Sequence, residues 1–191
     1  MSEFGLVETT LEIPSGLDVS IKNKTVSVSG PNGTLSRDFK FARAISIEKR
    51  DNLISLYTYH PRKKEKSLLN TLKSHIINLM RGAQDNFIYK MKIVYSHFPI
   101  TVKVEGKTVY IENFLGERSP RIAKIKGEHT KITVESDDII IESPFIEDAG
   151  QTAANIQLAT KIKNKDPRVF QDGIYLYYKG LGDKDLWKLK Y

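Results

Sequence analysis

The chain of 191 residues has 40% hydrophobic residues, enough apolar material for one large domain or two small ones and too much for wholesale disorder. It contains no cysteine, which excludes disulfides and thiolate metal sites and suits a reducing compartment, and no apolar run reaches the ~18–20 residues of a membrane span. The net charge of +7 favours a polyanionic partner, so we expect a soluble, cytoplasmic protein.

Alternating apolar and polar residues predict short strands in the first half of the chain. Residues 1–12 have little periodicity and are expected to form a loose arm or an edge strand. The alternation over residues 19–28 predicts a hairpin, and the sequence Gly30-Pro31-Asn32-Gly33 is a strong turn signal, with Gly33 as its last residue. A second hairpin is predicted over residues 45–59.

A helix is predicted to follow these two hairpins. His60-Pro61 places proline at a helix start, where its missing N–H costs nothing, and Gly82 is the expected end of the helix. Lysines and arginines lie at the start and on the outside of the pattern. One apolar stripe runs along the predicted helix, formed by Leu69, Leu72, Ile76 and Leu79.

The second half of the chain repeats this pattern about 83 positions later. Lys107–Ile111 echoes Lys24–Val28, and Gly116 falls 83 positions after Gly33, where both glycines are assigned to structural turns. Shared register at both ends of the unit indicates duplication of a folded unit. We therefore predict an α+β protein of two tandem duplicated domains, each an antiparallel β-sheet packed with one α-helix, over residues 1–84 and 85–191.

The second predicted helix begins near Pro144 and ends at Asp166-Pro167. Small residues on its inner face should let it lie close to its sheet. That face is predicted to contain Ala149, Ala153, Ile156 and Ala159, widened by Leu158 and Ile162.

The end of this predicted helix and the residues after it form what we call the basic-aromatic segment, Gln157–Gly180, in which cations are interleaved with aromatic rings. Cations neutralise phosphates, and rings can stack against irregular RNA. A short strand is predicted over Ile174–Tyr178. Strict alternation would place Ile174, Leu176 and Tyr178 against the helix and leave Tyr175, Tyr177 and Lys179 on the other face.

The sequence contains no recognisable catalytic motif. None of the four histidines lies in a metal-ligand spacing, and no nucleophile-elbow, P-loop or dinucleotide-binding string occurs. We therefore predict a non-catalytic protein without metal, cofactor, small-molecule substrate or membrane partner.

Three separated motifs resemble the archaeal and eukaryotic form of the large-subunit ribosomal protein six family. Two of them are Tyr89–Ile100 and Asn113–Gly116. The third lies in the basic-aromatic segment and consists of Gln157, Lys163, Arg168, Phe170, Asp172, Gly173, Ile174, Tyr175 and Lys179. The resemblance covers most of the chain. It implies a structural subunit of the large ribosomal subunit that binds ribosomal RNA beside the sarcin–ricin loop, near the docking site of GTPase translation factors.

The same resemblance implies neighbouring ribosomal proteins as partners, and a nucleolar stage during assembly if the source is eukaryotic. It assigns RNA contact to Arg168, Gly173, Tyr175, Lys179 and Gly180, with Asp172 shaping the turn before Gly173. Charge and face arguments add Lys161, Lys163, Lys165 and Tyr177, and a second basic surface contributes Arg118 and Arg121. The alternative is a free RNA-binding or ribosome-assembly factor that acts off the ribosome.

Overall fold

The structure is a computed structural model that describes residues 5–166 and 168–189. The chain divides after Asp85 into two compact units. The predicted stop at Asp166-Pro167 includes Pro167, which lies outside the described residues. The second helix has already ended before this point, at Ala159.

The first unit contains six strands followed by one long helix. Its elements are β1 (Leu6–Glu12), β2 (Asp18–Lys22), β3 (Thr25–Gly30), β4 (Gly33–Asp38), β5 (Ser46–Arg50), β6 (Leu53–Tyr59) and α1 (Lys63–Gln84).

The second unit repeats this order and then adds two strands. Its elements are β7 (Phe87–Val94), β8 (Thr101–Glu105), β9 (Thr108–Glu112), a single 3₁₀ turn (Phe114–Gly116), β10 (Arg121–Lys124), β11 (Lys131–Glu135), β12 (Asp138–Ser143), α2 (Ile146–Ala159), β13 (Gly173–Leu181) and β14 (Lys184–Lys188).

The two units share one sheet topology. The first contains a sheet in the order β1-β6-β5 and another in the order β2-β3-β4, and every strand pair in both is antiparallel. The second contains the corresponding orders β7-β12-β11 and β8-β9-β10. The α+β fold of two repeats, each with one helix on antiparallel strands, is therefore confirmed, with the strands of each unit divided between two sheets. Within the described residues, neither helix combines the length and apolarity needed to cross a membrane.

The end of α1 differs from the prediction. Gly82 does not end the helix but lies buried inside it, and the helix continues to Gln84. The reason is the turn that follows β3. The Asn32 side-chain amide donates to the Gly82 carbonyl at 2.9 Å, and the Asn32 backbone N–H donates to the Ala83 carbonyl at 2.9 Å. These bonds satisfy carbonyls that a left-handed glycine would otherwise help to cap.

The second unit has an element with no counterpart in the first. β13 pairs with β7 on the side opposite to β12, which widens the sheet to five strands in the order β11-β12-β7-β13-β14. The apolar face of β7 packs against α2 in one continuous core that also contains Ile174 of β13. The basic-aromatic segment is therefore the end of α2, a loop, and this added strand.

Candidate nucleic-acid interface

The α2–β13 loop (residues 160–172) presents most of the cations of the basic-aromatic segment to solvent. Lys161, Lys163, Lys165 and Arg168 are all exposed. Thr160, the first residue of the loop, is buried, and its hydroxyl accepts a hydrogen bond from the Ile174 N–H at 3.1 Å. The loop is thus fixed to β13 at its base while its charged side chains face solvent.

Asp172 ties the other end of the loop to a distant part of the chain. The residue is 1% exposed. Its Oδ1 accepts hydrogen bonds from the backbone N–H groups of Ser96 (2.7 Å) and His97 (3.1 Å), and its Oδ2 accepts one from His97 Nδ1 at 2.7 Å. Burial is the largest single influence on the pKa of Asp172 and raises it, but the hydrogen bonds together bring the pKa below its ordinary value.

An aromatic stack lies beside this carboxylate. The Phe170 ring stacks on the His97 ring with centroids 4.6 Å apart and planes 18° apart. Lys165 Nζ lies over the Phe170 ring, 4.6 Å from its centroid, a cation–π arrangement. One loop cation is therefore held by an aromatic ring that Asp172 positions through His97.

The two glycines assigned to RNA contact are both buried. A Cβ at Gly173 would lie 2.9 Å from the Tyr175 ring, and one at Gly180 would lie 2.8 Å from Cε1 of Tyr178. Each glycine leaves room for a tyrosine ring two residues away, so the close approach that these glycines permit is to the protein's own side chains.

The predicted faces of β13 are wrong beyond Leu176. The pairing with β7 shifts between Leu176 and Tyr178, so Tyr177 is a bulge residue and the alternation reverses. Lys179 therefore pairs with Tyr89 on the helix side, with its Nζ 5.5 Å from the Tyr89 ring centroid. Tyr178 lies on the opposite side, where Lys90 Nζ sits 5.2 Å from its ring centroid.

Two adjoining grooves run along α2 and meet at the exposed Leu158. One, of about 430 Å³, lies between the end of α2 and the α2–β13 loop and is lined in part by Lys161, Phe170 and Tyr175. The other, of about 390 Å³, lies between α2 and the sheet and reaches Lys179. Leu158 is 65% exposed, so its predicted place on the inner face of the helix is wrong; Thr152 is the additional buried residue there.

Arg121 is engaged inside the protein. Its guanidinium forms two hydrogen bonds to the Glu117 carboxylate, at 2.6 and 2.8 Å, and donates to the carbonyls of Ala159 and Lys161 at 2.9 and 3.1 Å. The same group lies 4.2 Å from the Phe114 ring centroid. This favours a structural role, capping the end of α2, over a phosphate contact. Arg118 is exposed.

The two turn glycines have backbone conformations that suit glycine, and the two remaining tyrosines differ in exposure. Gly33 and Gly116 have φ values of 105° and 74°, which favour glycine, and the Phe98 ring lies 3.4 Å from where a Gly116 Cβ would be. Tyr175 is 43% exposed, and Tyr177 is half-buried. No cluster of metal-ligating side chains occurs in residues 5–166 and 168–189.

The sequence matches the family described as Ribosomal protein L6 over residues 13–86 and 98–173. Each matched stretch begins shortly after the first strand of its unit and covers the rest of that repeat through its helix. The two-unit fold and its duplicated order thus agree with a class of ribosomal proteins, and the chain belongs to the ribosomal protein L6 family. The resemblance seen in the sequence is confirmed.

Curated relatives align with this chain along nearly their whole length. The chain is 50% identical over 169 residues to the large ribosomal subunit protein uL6 of Staphylothermus marinus, covering 87% of this chain and 91% of that protein. It is 49% identical over 173 residues to uL6 of Methanobrevibacter smithii, covering 91% and 96%. It is 48% identical over 173 residues to uL6 of Methanosarcina mazei, covering 91% and 97%.

Proposed function

We propose that this chain is a non-catalytic structural constituent of the large ribosomal subunit and binds large-subunit ribosomal RNA through the basic-aromatic segment. The observation that carries the proposal is the α2–β13 loop, which is tied to the folded core at both ends and exposes four cations, Lys161, Lys163, Lys165 and Arg168. Relatives at 48–50% identity are named as large-subunit ribosomal proteins, which supports the same setting.

The finer location follows the resemblance of the three motifs. We place the RNA contact beside the sarcin–ricin loop, near the docking site of GTPase translation factors, with other ribosomal proteins as neighbours. The cytoplasmic ribosome is the location that this role requires, and a nucleolar stage would apply only to a eukaryotic source.

The physical basis of binding is neutralisation of phosphates by a loop whose two ends are anchored to the folded core. Ammonium and guanidinium groups replace condensed counterions along the RNA, and the released ions favour the complex. Because Asp172 and Thr160 anchor both ends of the loop, little further conformational entropy needs to be lost on binding. Such contacts fix position and carry little sequence information.

The grooves along α2 give the interface its shape. Leu158 and the ring of Tyr175 are exposed beside the cations, so sugars or unstacked bases can pack there while phosphates meet the lysines. Lys179 lies in the second groove between the rings of Tyr89 and Trp187. In this arrangement Lys179 contributes charge at the groove floor, whereas Gly173 and Gly180 act through the tyrosine rings that they accommodate.

The test replaces the four loop cations together, as Lys161→Gln, Lys163→Gln, Lys165→Gln and Arg168→Gln. Each phosphate contact adds about 0.9 to the slope of log affinity against log salt for duplex nucleic acid and about 0.7 for single strands. We expect the slope for in-vitro-transcribed large-subunit rRNA to fall by about 2–4, with the unfolding transition unchanged.

The matched control removes the same charge elsewhere, at four exposed lysines: Lys22, Lys40, Lys107 and Lys131. If the loop variant and this control gave the same salt slope for rRNA binding, the loop would be rejected as the binding site. Co-sedimentation with large subunits in about 0.2 M salt separates the alternative role, because recovery of the wild-type chain only in the soluble fractions would favour a free assembly factor.

A further inference from the structure

The exposed side of α1, in the first unit, carries positive charge that the basic-aromatic segment does not explain. The helix contains five cations, Lys63, Lys64, Lys66, Lys73 and Arg81, against one carboxylate. The exposed positions between them are neutral and polar, namely Ser67, Asn70, Thr71 and Ser74.

The one carboxylate does not offset this charge at the surface. Glu65 is half-buried, and its Oε2 is shielded from solvent with no hydrogen-bond partner in the described part of the chain. Lys63, Lys64 and Lys66 are exposed, and the described residues provide no ion pair to any of them. The solvent side of α1 is therefore cationic at its start, neutral and polar along its middle, and presents no fully exposed acid.

Helix stability does not account for the pattern. Lysines in the first turn face the positive end of the helix dipole, which costs roughly 0.3–1 kcal/mol each, and exposed helices gain stability from acid–base pairs four residues apart. The equivalent helix of the second unit has the favourable arrangement, because α2 places Glu147 and Asp148 in its first turn and contains no Lys or Arg. The two copies of the duplicated helix thus have opposite charge.

The surface of α1 has a depression that could seat an extended ligand. A shallow depression of about 610 Å³ is lined by Lys63, Lys64, Ser67, Leu68 and Thr71. The Thr71 hydroxyl already donates to the Ser67 carbonyl at 3.1 Å, so the ammonium groups are the charged donors that a ligand meets there. A ligand in this depression meets the ammonium groups of Lys63 and Lys64 and no carboxylate, with exposed Lys66 one turn of the helix away, and an extended polyanion supplies the matching negative charges.

We propose that the exposed side of α1 is a second RNA-binding surface, which contacts the sugar–phosphate backbone of ribosomal RNA without reading its sequence. This inference rests on the proposed function, since it takes the same class of RNA as its partner. It divides the binding between the two units: the second uses a fixed loop beside aromatic rings, and the first uses the side of a helix.

The experiment uses the full chain with Lys63→Gln, Lys64→Gln and Lys66→Gln, and in-vitro-transcribed large-subunit rRNA as the probe. We expect the salt slope of binding to fall by about 2–3 and the affinity to drop about 10-fold or more near 150 mM salt. A triple Lys→Arg variant at the same positions should keep the wild-type slope, because it keeps the charges. The control triple Lys22→Gln, Lys107→Gln and Lys131→Gln has the same net charge as the α1 variant. Its salt slope should fall less, because it removes only long-range attraction and no direct phosphate contact.

The outcomes separate this inference from the function on which it rests. If wild-type chain binds the rRNA and the loop variant loses affinity, but the α1 variant matches the control triple, the second surface is rejected alone. If the α1 variant binds naked rRNA normally and is lost only from reconstituted subunits, the partner is a protein and the inference is equally overturned. If the wild-type chain binds no rRNA, the proposed function fails first.

Discussion

Arg121 illustrates how one side chain can carry the features of an RNA contact and serve the fold instead. A basic residue beside a glycine turn is a reasonable phosphate ligand from its sequence position. In the structure, its guanidinium contacts Glu117, the Phe114 ring and the carbonyl of the last residue of α2. The pKa of Glu117 is lowered, first of all by its hydrogen bonds with Arg121.

Replacement of Arg121 is expected to destabilise the second unit. Arg121→Gln should lower the free energy of unfolding by about 2 kcal/mol, since charge-assisted hydrogen bonds are lost and helix carbonyls are left without their donor. Arg121→Lys should lose most of the same amount because an ammonium cannot form the two-pronged bond.

Denaturant unfolding measures both changes, and Arg118→Gln at the neighbouring exposed arginine is the control, expected within about 0.5 kcal/mol of wild type. If Arg121→Gln left stability intact while reducing the salt slope of RNA binding, the residue would belong to the interface after all.

Asp172 gives the fold a dependence on pH. Its pKa in the folded chain lies below the ordinary value of 3.8, so the ionised carboxylate stabilises the fold at neutral pH, and this stabilisation is lost as pH falls through the folded pKa. We expect Asp172→Asn to cost about 1–3 kcal/mol at pH 7, and the difference from wild type to shrink as pH falls below about 4.

Urea titrations at several pH values test this expectation, with Asp137→Asn at an exposed turn as the control. A constant difference between Asp172→Asn and wild type from pH 7 to pH 3 would argue against a role for the ionised carboxylate.

At the scale of elements, α2 separates a buried face from an exposed one more sharply than its sequence suggests. Ile156 is fully buried and Leu158 is 65% exposed. Ile156→Ala should therefore cost about 2–5 kcal/mol, whereas Leu158→Ala should cost less than about 0.5 kcal/mol. Equal costs in an unfolding titration would contradict the placement of Leu158 in the groove. The pair also controls for side-chain size, because both changes remove a similar volume from the same helix.

The bulge in β13 explains why the sequence misplaced part of the candidate site. Alternation predicts sides correctly only while the register is unbroken, and it holds from Ile174 to Leu176. One extra residue at Tyr177 then reverses the sides of Tyr178 and Lys179. The insertion depends on how β7 and β14 pair with β13, and a local pattern of apolar residues carries no information about those partners.

Across the whole molecule, long-range repetition was easier to predict than local detail. The shift of 83 positions between matched motifs indicated two copies of one unit, and the strand orders of the two units agree element by element. The sequence also located the exposed loop cations. It did not predict the division of each unit into two sheets or the tie between Asp172 and His97, because both depend on pairings between residues far apart in the chain.

The position of β13 beside β7 has a practical consequence. A chain shortened before Gly173 would leave Phe87–Val94 with an open hydrogen-bonding edge and uncovered apolar side chains, an arrangement that promotes aggregation. Deletion of this strand is thus a poor test of the proposed RNA contact, because loss of binding would follow from aggregation of the second unit as well as from the missing cations.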